Sequence, residues 1–159
     1  SDTAPVPGVS TDSLEREEAN VHKDFHAAFS LCLSFLNDNY GYEEVKSYLR
    51  HISENVYAPI SKQLQERGLP ALEEHWHNVF TAERGEFRTR YEDDTLVLEV
   101  SKCPAISHMQ EKNHPIFEKF CEVTRLVNEG ICHRADYDCS VEYDQNQGRC
   151  IQKFWKRDR

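Results

Sequence analysis

Residues 101–154, SKCPAISHMQEKNHPIFEKFCEVTRLVNEGICHRADYDCSVEYDQNQGRCIQKF, decide how the rest of the chain is read. The stretch begins at a strand end, turns at Cys103-Pro104, runs through a helix to Gly130 and closes as a hairpin through Gly148. It holds five of the six cysteines: Cys103, Cys121, Cys132, Cys139 and Cys150. His108, His114 and His133 lie there too. Any chemistry is expected in this half, and the part before it reads as helical scaffold.

Working outward, 159 residues suit one domain. That length buries enough surface for a core without disulfide staples. An apolar fraction of 38% with 30% charged residues fits a globular chain with solvated helix faces, and 11% aromatics argue against disorder. The net charge of −9 weighs against nucleic acid as a partner, because phosphate binding needs a cationic footprint. The basic end, KFWKRDR over 153–159, reads as a solubilising tail on an acidic body. No apolar run approaches the roughly 20 residues of a membrane span. The even cysteine count raises a disulfide framework. Length, the lack of a legible leader and the absence of a glycosylation sequon favour free thiols in a reducing cytoplasm instead.

Residues 1–11 (SDTAPVPGVST) read as a flexible arm and 12–159 as one α+β domain. Its helical part spans 12–83 and its Cys-rich hairpin–helix–hairpin part 85–155. Asp12 with Glu15 makes a capping box. Leu14, Val21, Phe25, Ala28, Cys32 and Leu36 then recur at helical spacing, widened by Phe29 and Leu33. A second stripe comprises Val45, Tyr48, Leu49, Ile52 and Val56. Pro59 breaks it, Gly68 stops the next piece, and Pro70 opens a helix carrying Leu72, Trp76, Val79 and Phe80. After Gly85 the period becomes two: Phe87, Thr89 and Tyr91, a turn at 92–94, then Leu96, Leu98 and Val100. The expected architecture is N-terminal helices packed on small antiparallel hairpins, with a central helix between the two hairpins.

Cys103 has the best claim to reactivity. Placed just before a helix opened by Pro104, it meets unpaired backbone N–H groups that favour the thiolate. If the strand ran on to it, Cys103 would face away from Leu96, Leu98 and Val100. Candidate bases are His108, turned about 140° from it around a helix, and Glu122, with its pKa raised beside an apolar pocket. Cys121 lies on the stripe of Phe117 and Phe120 and is expected buried. For Cys139 and Cys150 the register decides: pairing Tyr143 with Arg149 parts the thiols, pairing it with Cys150 puts them on one face. His22 and His26, four apart, lack a third ligand nearby in sequence, and no Cys-x-x-Cys knuckle is present. No cofactor is indicated firmly, and a divalent metal, zinc, is the one considered.

Lys102-Cys103-Pro104 at a strand end, Phe120-Cys121 in a helix and Gly148-x-Cys150 with Phe154 in the last strand resemble the L-2-amino-thiazoline-4-carboxylate hydrolase family over about residues 85–155. An acid is expected there three residues after the helix cysteine, where this chain has Thr124. The resemblance implies hydrolytic opening of a small cyclic amidine or amide bearing a carboxylate, with Cys103 and Cys121 lining the site. The expected function is therefore a small-molecule hydrolase or related lyase, with Cys103, Cys121, His108 and Glu122 as the catalytic set. The alternatives are a non-enzymatic ligand-binding or sensor domain and a zinc-stabilised interaction domain.

Overall fold

The computed structural model describes residues 11–158. Of the expected N-terminal arm, all but Thr11 lies outside the described residues, as do the side chains of Leu14, Glu15 and Val21. Four helices come first: α1 (Thr11–Tyr40), α2 (Tyr42–Asn55), α3 (Ala58–Arg67) and α4 (Leu69–Ala82). A hairpin follows, β1 (Glu86–Glu92) and β2 (Thr95–Lys102), then α5 (Pro104–Glu111), α6 (Glu122–Arg134) and a second hairpin, β3 (Tyr137–Asp144) and β4 (Arg149–Lys156). The α+β expectation holds. The hairpins join through β2 and β4 into one four-stranded antiparallel sheet, in the order β1-β2-β4-β3.

Local chemistry explains most boundaries. Pro59 and Pro70 sit in the first turns of α3 and α4, where a missing N–H is harmless. Gly68 separates the two helices at φ 78, a conformation that suits glycine. In the second hairpin Tyr143 pairs with Cys150, and Cys139 with Phe154, so both thiols share the inner face.

Four expectations are corrected. Among the described side chains of α1 the buried ones are Ala27, Ser30 and Leu33, while Phe25 is 71% exposed and Ala28 is exposed too. The helix carries more apolar residues than one face can cover, and packing on α2 and α5 chooses among them. On α2, Tyr48 and Val56 are likewise exposed, and Val45, Leu49 and Ser53 are buried. Between the hairpins, α5 is the helix expected from Pro104, and after intervening turns the central helix α6 starts only beyond Cys121, so Phe117, Phe120 and Cys121 precede it. Gly130 does not stop α6. It lies within the helix, close against Ser53 of α2.

Two core clusters result. One packs Leu64 and Leu72 on Leu96, Leu98, Val100 and Phe154 of the sheet with Val127 and Ile131 of α6. The other gathers Leu33, Val45, Leu49, Ile106, Met109, Phe117 and Phe120. Cys103, Ile52 and Val123 touch both clusters and mark the seam. No helix among the described residues is long and apolar enough to cross a membrane.

Candidate functional site

A cavity of about 230 Å³ opens along that seam. α1 supplies His26 and Phe29; α4 supplies Trp76, Val79 and Phe80, with Glu83 just beyond its end. Cys103 and the first turn of α5 line one wall; Phe120, Cys121, Val123, Thr124, Val127 and Asn128 line another, and Gln152 of β4 closes the floor. The lining is predominantly hydrocarbon and aromatic, as in small-molecule sites.

Both cavity cysteines precede a helix, Cys103 before α5 and Cys121 before α6. The tip of the second hairpin holds both. Cys103 N–H donates to Gly148 O (2.8 Å), and Cys121 N–H donates to Gln145 Oε1 (2.9 Å). Gln145 Nε2 donates in turn to Phe117 O. The strand ends at Lys102, so the alternation of β2 does not reach Cys103, whose side chain packs against both core clusters. Burial pushes the Cys103 thiol up, against the opposing pull of the Ile106 and Ala105 N–H groups. The same desolvation drives Cys121 up to about 12 and Cys150 up to about 11. At neutral pH these sulfurs are thiols; burial outweighs the helix N-terminus. All six cysteines are free.

The expected bases lie elsewhere. His108 is buried on α5 with its Nε2–H donating to Asp24 Oδ1 at 2.7 Å, and it does not line the cavity. Glu122 is gripped by Arg125, whose Nε and Nη2 donate to its two oxygens at 2.8 and 3.0 Å. That grip holds Glu122 below the usual carboxylate range, the reverse of the expected rise. His75 and His77 also stay out of the cavity: His75 packs edge-on to Trp76 and His77 against Phe87. His133 faces Asp138.

The histidine at the cavity is His26, and its partner was not legible in sequence. Glu83, 8% exposed, accepts from His22 Nε2 at 2.8 Å and from His26 Nε2 at 2.9 Å. The available signal was an acid at the C-terminal end of a helix, where the dipole disfavours negative charge. Although desolvation opposes it, the two imidazoles lower the Glu83 pKa below its ordinary value. A depressed carboxylate adds stability above its unfolded pKa of about 4.3 and loses it as pH falls through the native value. Glu83→Gln should therefore be less stable than wild type at pH 7, with the gap closing on acidification below about pH 4. Urea titrations at both pH values check this; a gap that widens in acid would refute the role.

Two further polar atoms carry more weight. Asn128 Nδ2 donates to Gln152 Oε1 (2.8 Å), and Gln152 Nε2 donates to Cys150 Sγ (3.4 Å), which fixes the pair's orientation. Asn128 Oδ1 is left buried without a partner, and so is Trp76 Nε1. Both residues line the cavity, so one acceptor and one donor without a partner lie buried within its walls. Neither stands out in the sequence: Asn128 belongs to the stop-like run Asn128-Glu129-Gly130, and Trp76 lies on the apolar stripe of its helix.

Apart from the cavity, Asp24, His108 and His114 form a group capable of holding a metal ion. No cysteine belongs to such a group among the described residues. Comparison of the chain with protein-family models, with characterised proteins and with solved structures returns no match.

Proposed function

We propose that this chain takes a small, largely apolar ring compound carrying an amide or amidine group into the cavity between α1, α4, α5 and α6. One observation carries the reading: an unpartnered acceptor, Asn128 Oδ1, and an unpartnered donor, Trp76 Nε1–H, both buried in the walls of a single apolar cavity. A buried polar atom without a hydrogen bond costs about 1–3 kcal/mol. A ligand presenting an N–H and a carbonyl or imine nitrogen relieves both once the two side chains turn toward the cavity. The volume, about 230 Å³, exceeds the roughly 150 Å³ that admits benzene and suits a ring with a few substituents.

A hydrolytic turnover is the second reading, favoured by Cys103 standing on the cavity wall at the start of α5. In it Cys103 Sγ attacks the amidine or amide carbon, and the thiol proton passes to His26, which Glu83 orients. The departing ring nitrogen takes that proton from His26 as the C–N bond of the ring opens, and water then cleaves the acyl or imidoyl group from sulfur and restores the thiol. His26 replaces His108 and Glu122 as the base, because it shares the cavity with the thiol.

The test uses Trp76 as reporter. With Trp155→Phe, Trp76 is the sole tryptophan, and its emission should shift saturably with 2-amino-thiazoline-4-carboxylate or a small lactam. Thr124→Trp, which fills the cavity, should abolish the accompanying rise in melting temperature. Cys103→Ser should retain binding and lose any ring opening seen by mass spectrometry. No response in emission or melting across cyclic amides and amidines would sink the binding proposal; full turnover by Cys103→Ser would sink the hydrolytic one.

A further inference from the structure

We propose that Asp24, His108 and His114 form a site for a divalent transition-metal ion, with zinc the best fit, joining α1 to the chain around the end of α5. The three ligands come from separate segments: Asp24 from α1, His108 from α5 and His114 from the connection that follows. Their ligand atoms all lie within 4.8 Å of one another. Asp24 Oδ1 is 2.7 Å from His108 Nε2 and 3.9 Å from His114 Nε2. A tetrahedral zinc with bonds of about 2.0–2.1 Å has ligand–ligand edges of about 3.4 Å. The two separations straddle that edge, so small side-chain rotations complete the geometry.

The donor set argues for the ion. Two imidazoles and one carboxylate are the ligands of zinc sites that keep an open position. Calcium and magnesium want oxygen throughout, and thiophilic ions would select cysteine.

The surroundings hold the donors in place. His108 is 3% exposed on a helix whose Pro104, Ala105, Ile106 and Met109 are also buried, so its ring is fixed by packing. Asn113 turns the chain at φ 55, and His114 N–H donates to Met109 O (2.9 Å), which folds His114 back toward His108. The His108 and His114 ring centroids stand 6.3 Å apart. Asp24 is 59% and His114 38% exposed on their side chains, which leaves the remaining coordination positions to water. Lys112, exposed near Asp24, is the competing cation and lies outside the ligand set.

The site shares no residue with the cavity, so its test is independent of the proposed function. The reduced, chelator-stripped full chain is titrated with zinc against a chromogenic chelator, and separately with cobalt(II). One zinc per chain is expected. Loss of an outer-sphere partner alone typically costs 10–100-fold, so Asp24→Asn and His114→Ala should each weaken binding by ~100-fold or more. Both residues are partly exposed, so the metal-free variants should keep the wild-type circular dichroism, and His114→Ala the wild-type melting temperature, while Asp24→Asn gives up the contact with His108. Cobalt should show ligand-field bands without sulfur-to-metal charge transfer. Absence of stoichiometric zinc, unchanged affinity in both variants, or a thiolate charge-transfer band would each overturn the assignment.

Discussion

Phe154→Ala should lower the unfolding free energy by about 3–5 kcal/mol, the range for emptying a large buried aromatic site. Phe154 is fully buried on β4, opposite Leu96 on β2 and Cys139 on β3. It is thus the side chain at which the two hairpins become one sheet under the helices. Removing the ring leaves a cavity that strands hydrogen-bonded on both sides cannot collapse to fill. The measurement is the urea midpoint with the slope checked for constancy. A loss under about 1 kcal/mol would mean that the hairpins hold together without this contact.

Gly130→Ala should also destabilise, by about 3 kcal/mol, near the upper end of overpacking costs. In an ordinary helix interior the same change gains up to about 1 kcal/mol. The sign inverts because a Cβ at Gly130 would meet Ser53 Oγ and stand 2.6 Å from Ser53 Cβ. Ser53 has no room to retreat. It is buried on α2, its hydroxyl donates to Arg50 O (3.0 Å), and its carbonyl accepts from Arg134 Nη2. Ser53→Gly placed in the Gly130→Ala background should recover most of the loss. A single variant at least as stable as wild type would show that α2 and α6 are not packed this closely.

The same glycine shows where local reading stops. Asn128-Glu129-Gly130 has the composition of a helix stop, and nothing nearby in sequence distinguishes a stop from a site of close helix approach. Likewise the apolar residues of α1 exceed what one face can bury. Their spacing identifies the helix but not the face, because α2 and α5 make that choice.

What the sequence by itself determined is the set of elements governed by neighbouring residues. Proline fixes φ and removes a donor, glycine permits positive φ, and the change of period after Gly85 separates helix from strand. These made the four N-terminal helices, both hairpins and the position of Cys103 before a helix legible. The tertiary structure alone decided the union of the hairpins through Leu96 and Phe154, the pairing of Tyr143 with Cys150, and the cavity itself. It also brought Glu83 to His26, Asn128 to Gln152 and Asp24 to His108. Those contacts join residues far apart in the chain, and burial at the seam set the charge state of Cys103 against its local helix. Desolvation depends on everything packed around an atom, so no stretch of sequence carries it.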